Sequence, residues 1–189
     1  MEDKYLIPLL KAGDEKAYRD LVRIYFRRVY ATCLGIVQNI KEAEDVAQEV
    51  FIEVFRSVKS FREDAKMSTW LYRIAVNRSL DVIRSKKRKG KIVQLDGEVE
   101  QKLTGEHSFI HPGAVLEEKE KSRLLYEAID ALPENQKAAF TLSRVEGMSQ
   151  REVAEAMQMK EGAVESLLQR AKQNLKRMLS EYYEGRNEG

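Results

Sequence analysis

SQREVAEAMQMKEGAVESLLQRAKQNLKR, residues 149–177, decides the fold of this chain, because it reads as two helices joined by a short turn. Ser149 followed three residues later by Glu152 is a capping-box pattern, and Gly147 just upstream suits the end of a preceding helix. Val153, Ala154 and Met157 are the inward positions of the short helix that starts there. A second apolar series follows the turn. Ala163, Val164, Leu167, Leu168, Ala171, Leu175 and Leu179 recur at steps of three and four, as an amphipathic helix requires. The opposite face carries Glu165, Ser166, Gln169, Arg170, Lys172, Gln173 and Lys176, side chains that reach base edges and phosphates in a major groove. Periodicity alone leaves two readings open, a helix-turn-helix that reads duplex DNA and an ordinary solvated helical hairpin.

The rest of the composition is compatible with such an α-helical protein. A length of 189 residues allows one or two compact units, and two fits better. Hydrophobic content of 43 % suffices for cores, while 34 % charged residues with 3 Pro and 10 Gly predict a mostly helical, soluble chain. No apolar run approaches membrane-spanning length. The N-terminal MEDKYLIPLLKAGDE lacks a basic segment followed by an apolar core, so a cytoplasmic location and no stable membrane insertion are expected. The single cysteine, Cys33, excludes an internal disulfide and sits in a helical apolar pattern, which suits core packing over a redox role. His107 and His111 lack partners at metal-ligand spacing and read as loop residues; no metal and no cofactor is expected.

Charge divides the chain into three. Residues 1–92 carry 20 Lys/Arg and 13 Asp/Glu, a net +7, and residues 93–118 carry 1 and 6, a net −5. Residues 119–189 are balanced at 12 and 12. Three parts with different partners are the natural reading.

The basic block holds three predicted helices. Residues 16–37 place Ala17, Leu21, Ile24, Tyr25, Val29, Cys33, Ile36 and Val37 at helical spacing, and Asn39, Ile40 and Lys41 form a break. Residues 42–58 make a second helix whose stripe is Ala43, Val46, Ala47, Val50, Phe51, Val54 and Phe55. After the polar loop SFREDAK at 60–66, Ser68 or Thr69 is positioned to cap a third helix through Arg84. The cationic run RSKKRKGK at 84–91 reads as a frayed helix end or solvated tail that favours phosphates. Between 93 and 118 the periodicity fails, glycines and a His-Pro-Gly turn appear, and acidic residues predominate: a linker. As a relaxed coil it averages roughly 30 Å end to end, and drawn out it reaches about 85 Å. Helices resume at 119–131 and 134–146, broken by Leu132-Pro133. The expected fold is therefore all-α, two helical domains joined by an acidic linker, with the helix-turn-helix in the second. The boundaries are 1–92, 93–118 and 119–184, with a tail at 185–189.

Within the third helix Trp70, Arg73, Asn77, Asp81 and Arg84 lie at steps of three or four and share one side, while Leu71, Ile74, Ala75 and Ile83 face the core. An aromatic, two arginines and an amide on one stripe are what backbone capture and base stacking require. The alternative is a core tryptophan beside an Asp81–Arg84 surface ion pair.

Three quoted segments carry a family resemblance: EAEDVAQEVFIEVFRSVKSF at 42–61, STWLYRIAVNRSLDVIR at 68–84, and the Leu132-Pro133 helix with its helix-turn-helix. Together and in this order they resemble bacterial RNA polymerase sigma factors of the extracytoplasmic-function (ECF) group, across almost the whole chain. The segments look like that family's regions two and four, joined by a short linker in place of region three. The resemblance implies that the second helix docks on the coiled coil of the polymerase clamp, which assigns Asp45, Gln48, Glu49 and Phe51 to core polymerase. Phe51 also belongs to the apolar stripe, and a packing role stays open for it. The third helix and its preceding loop would meet the −10 element. Trp70 and Asn77 are carried over to strand opening and base reading, Arg73, Arg78 and Arg84 to phosphates, and the 61–66 loop, with Phe61, Arg62 and Lys66, to a flipped base. Base extrusion costs a few kcal/mol.

The C-terminal module would read the −35 element through Ser149, Arg151, Glu161, Gly162, Ala163, Glu165, Ser166, Gln169 and Arg170. Here the chain departs from the family pattern. Many relatives have glycine at Gln158, Ser or Thr at Ala163, Lys or Arg at Glu165, and Arg at Leu167; the turn can still form, but fewer cations weaken phosphate attraction, and Glu165 repels phosphate unless it accepts from a cytosine amino group. The negative linker is repelled by DNA and fits a basic polymerase channel, through which relatives thread it.

The function implied is a dissociable promoter-specificity subunit with no catalysis of its own, partnered by core RNA polymerase, promoter DNA and an anti-sigma factor. A two-domain regulator with an N-terminal sensor is the alternative, but the short arginine-rich helices offer no evident ligand pocket. A nucleic-acid hydrolase fits less well, since Asp64 and Asp81 lack a metal-binding constellation and no Gly-rich phosphate loop is present.

Overall fold

The computed structural model describes residues 3–62, 65–95 and 116–187. Every regular element among them is helical: α1 (Asp3–Lys11), α2 (Glu15–Val37), α3 (Ile40–Ser57), a 3₁₀ turn (Val58–Ser60), α4 (Met67–Leu95), α5 (Leu116–Asp130), α6 (Glu134–Arg144), α7 (Gln150–Met157) and α8 (Glu161–Asn187). The all-α expectation holds. Most of the expected linker lies outside the described residues, as do His107 and His111.

Local chemistry sets the boundaries. Asp14 caps α2 by accepting from the Ala17 N–H at 2.7 Å. The α2–α3 turn comprises Gln38, in the left-handed region at φ 55°, and Asn39, whose side chain accepts from the Glu42 N–H at 3.0 Å. Because Asn39 is the cap, α3 starts at Ile40, and the predicted break at 39–41 shifts back to 38–39. At α4 the capping expectation for Ser68 or Thr69 fails. Met67 is 1 % exposed and packs in the N-terminal core, which draws the helix start upstream and leaves Ser68 and Thr69 within the first turn. The cationic run expected as a frayed helix end or solvated tail is helical, since α4 continues to Leu95, and α8 continues into the predicted tail as far as Asn187.

Three apolar clusters hold these helices. The first joins α1 to α4 through residues such as Leu21, Val29, Cys33, Val46, Val50, Val54, Phe61 and Leu71. Cys33 is fully buried there, and burial pushes its thiol up to about 12, so it is a packing residue with little thiolate. Another cluster ties α5 to α8 through Ala128, Leu132, Ala171 and Leu175. Between them lies one the sequence did not announce. Ile36 of α2 and Tyr72, Val76 and Leu80 of α4 pack with Ala138, Ala139 and Leu142 of α6, Val153, Ala154 and Ala156 of α7, and Val164 of α8. The two domains therefore share a core, and α4 is buried on two sides.

Candidate nucleic-acid interface

The helix-turn-helix forms as its capping residues dictate. Ser149 Oγ accepts from the Glu152 N–H at 3.3 Å, and Glu152 Oε2 accepts in return from the Ser149 N–H at 3.1 Å, completing the capping box. Gly147 before it adopts φ 67°, a conformation glycine enters without Cβ strain. At the other end of α7, Gln158 stands in the left-handed region at φ 54°. Two bonds close the helix around it, Met159 N–H to Ala154 O at 2.9 Å and Gln158 N–H to Glu155 O at 3.4 Å, the pairing of a Schellman turn. The turn thus forms with a non-glycine residue at its left-handed position.

The opening of α8 presents the predicted set outward. Glu161, Gly162, Glu165, Ser166, Gln169 and Arg170 are exposed, together with Arg151 of α7; Ala163 is half-buried. A Cβ at Gly162 would meet open space, so packing does not require glycine there. Val164, Ala171 and Leu175 face inward, as their period predicts.

On α4 the stripe is arranged differently. Asn77, Asp81 and Arg84 are exposed, while Trp70, Arg73 and Arg78 are half-buried. Trp70 lies 4.8 Å, centroid to centroid, from Phe61, a residue 5 % exposed within the N-terminal core. Phe61, expected to hold a flipped base, is therefore covered here by the residues that anchor its loop. Arg62 is exposed; Glu63 and Asp64 lie outside the described residues. Arg78 Nη2 donates to Glu53 of α3 at 2.8 Å. Arg84 pairs with Glu134 of α6 at 3.3 Å rather than with Asp81, and Lys87 joins it at 2.6 Å. These two cations, Lys87 foremost, hold the Glu134 carboxyl below its ordinary range. Lys66 reaches Glu152 at 2.7 Å, and that bond, with those from Ser149, lowers the Glu152 carboxyl to about 2.

The outer face of α3 exposes Asp45, Gln48 and Glu49 as predicted. Phe51, expected beside them, is instead 5 % exposed: it packs in the N-terminal core, with its carbonyl accepting from Tyr18 OH. The apolar groups that do project from this side are Ile52, 48 % exposed, and Phe55, 60 % exposed. Sequence reasoning had assigned Phe55 to the inner stripe. The signal that separates them is phase. Asp45, Gln48, Ile52 and Phe55 keep three- and four-residue steps along one face, whereas Phe51 follows Ala43, Ala47, Val50 and Val54 on the other. Among the described residues no cluster of His, Cys, Asp or Glu could hold a metal ion, and no helix is long and apolar enough to cross a membrane.

Known proteins match this arrangement in order. The Sigma-70 region 2 family model matches residues 21–89, and the Sigma-70 region 4 model matches residues 122–175. The ECF RNA polymerase sigma factor SigW of Bacillus subtilis is 34 % identical over 182 residues, covering 93 % of this chain and 96 % of its own. The ECF RNA polymerase sigma-E factor of Escherichia coli K12 is 31 % identical over 176 residues, covering 92 % of each. Among solved structures, the fold is shared with CnrH in complex with the cytosolic domain of CnrY, at TM-score 0.65 and 22 % identity over 94 % of this chain and 97 % of that one. It is shared also with the sigma factor RpoE in complex with the anti-sigma factor NepR from Bartonella quintana, at TM-score 0.67 and 21 % identity over 87 % and 98 %. Matched across both modules and nearly its full length, this chain belongs to the ECF group of RNA polymerase sigma factors and is an alternative sigma factor acting in promoter recognition for transcription initiation.

Proposed function

We propose that the two faces divide promoter recognition between them. The start of α8, with Glu161, Gly162, Glu165, Ser166, Gln169 and Arg170, supported by Ser149, Arg151 and Ala163, reads the −35 element as duplex. The α4 stripe reads the −10 element, Asn77 and Trp70 engaging bases and Arg73, Arg78 and Arg84 engaging phosphates, with Arg62 and Lys66 of the preceding loop beside them. Holding an unpaired strand on these groups offsets the few kcal/mol that base extrusion costs. The outer face of α3, with Asp45, Gln48, Glu49, Ile52 and Phe55, docks on core polymerase. The chain works in the cytoplasm, without catalytic chemistry of its own.

The observation that carries this reading is the outward polar face at the start of α8, held by a capped and closed turn and exposed among the described residues. An anti-sigma factor that covers the α3 face is the regulator proposed; relatives of the same fold are seen bound to such proteins. Transcription from a randomised promoter library by core polymerase, with and without this chain, is the test. Recovered promoters sharing two spaced elements support the assignment. No change in start sites on adding the chain defeats it.

A further inference from the structure

The carboxylates of the helix-turn-helix differ in what holds them. Glu152 of α7 accepts from Lys66 Nζ at 2.7 Å, and Glu155 of α7 accepts from Arg151 Nε at 3.2 Å. Glu161 has no such partner among the described residues, but it stands in the first turn of α8, where the positive end of the helix dipole favours an acid. Glu165 has neither advantage. It is exposed, it has no hydrogen bond or ion pair among the described residues, and it lies one turn further on, where the dipole effect has fallen away.

Its neighbours along the helix make the position worse. Glu161, four residues before it, forms a like-charge pair that weakens a helix, and Leu168 and Gln169, three and four residues after it, offer no cation. Within this chain Glu165 therefore contributes nothing to the fold and costs it a little. Ser166 beside it has the same hydrogen-bonding sense. Its hydroxyl donates to the Gly162 carbonyl at 2.9 Å, so only oxygen lone pairs remain to be offered from this exposed residue. Two adjacent outward groups thus accept. A Cβ at Gly162 would meet open space, and its absence leaves the backbone beside them bare for a close approach.

Acceptors on a face that enters a major groove need donors from the base edges. Guanine presents two acceptors there, and thymine an acceptor and a methyl. Adenine sets its N6 amino group beside the N7 acceptor, whereas cytosine offers its N4 amino group without an acceptor on the same edge. Cytosine is the base that meets a carboxylate with attraction alone.

We propose that Glu165 is a specificity-determining residue, its carboxylate accepting from the N4 amino group of a cytosine at one step of the −35 duplex, with Ser166 Oγ as a second acceptor beside it. The inference rests on the assignment of α8 to the −35 element and adds the base that this position selects.

A promoter that the parent chain uses with core polymerase is randomised through its upstream element, and the sequences that still initiate are read for the parent, Glu165→Ala and Glu165→Arg. For the parent, cytosine is expected at one step with a preference of about tenfold. Glu165→Ala is expected to lose that preference at that step alone. Glu165→Arg is expected to replace it with guanine, whose O6 and N7 accept from a guanidinium. Denaturant midpoints control for the fold: Glu165→Ala is expected to be at least as stable as the parent, and a lower midpoint would give the residue a structural role and overturn the inference. A cytosine preference that survives Glu165→Ala, or no cytosine preference in the parent, overturns it as well, while the −35 reading stands as long as other upstream steps are selected. If no upstream step is selected at all, the −35 reading fails and the inference with it.

Discussion

Asn77 and Arg84 lie about two turns apart on α4 and differ in what they offer DNA. The amide can pair with a base edge, whereas the guanidinium sees any phosphate. Asn77→Ala is expected to change base preference within the −10 element, and Arg84→Ala to weaken binding across all sequences with a salt slope smaller by about 1. Initiation and binding on a panel of −10 variants at several salt concentrations check both; an unchanged preference in Asn77→Ala removes that residue from base reading. Gln158 offers a stability test. A non-glycine residue in the left-handed region costs roughly 1–2 kcal/mol, part of which glycine returns as unfolded-state entropy. Gln158→Gly is therefore expected to raise unfolding free energy by up to about 1 kcal/mol, read from the denaturant midpoint; a fall would mean that the Schellman bonds already absorb the strain. Ser149 and Glu152 were legible in the sequence, because caps are decided by neighbours along the chain, whereas Gln158 was placed in the turn by the resemblance to the family pattern.

The helices differ in how well their faces could be read. A helix buried on one side shows a single stripe, and α8 behaves so: its predicted polar face is exposed and its apolar series inward. On α3 the faces are legible in phase, but two phenylalanines four residues apart were assigned together. Phe51 entered the core and Phe55 stayed out, because burial depends on what α2 and α4 place opposite them. The exposed acidic and apolar groups of α3 then give a test of docking. Glu49→Lys reverses charge at an exposed site, so folding should be retained while affinity for core polymerase falls; equal recovery of variant and parent on immobilised core polymerase, with matching circular dichroism, would count against this face. On α4 the reading was half complete. Leu71 and Ala75 were identified as core, but Tyr72, Val76 and Leu80 form a second buried row against the C-terminal domain. Two apolar rows on one helix blur its period, and only the partner domain explains the second.

Across the whole molecule, carboxylates of one domain pair with cations of the other, and this predicts an acid response. Lys66 and Ser149 hold the Glu152 carboxyl at about 2, below its ordinary 4.5, and Lys87 with Arg84 lower that of Glu134. A depressed carboxyl contributes stability that is fully present above pH 4.5 and is lost as pH falls toward about 2. Denaturant midpoints measured down through that window should fall further for the parent chain than for Lys66→Met; parallel curves would show that the pair contributes nothing to holding the domains. By itself the sequence determined the all-α class, the two modules, the helix-turn-helix with its caps, and the outward face of α8, since each rests on local propensity or on the period of one helix. Only the tertiary structure decided that the modules share a core, that Phe51 and Phe61 are covered, and that Arg84, Lys87 and Lys66 pair across the domains. Those contacts join residues up to 118 apart in the chain, as in Arg28 and Glu146, and no local rule relates positions that meet only when two surfaces fit.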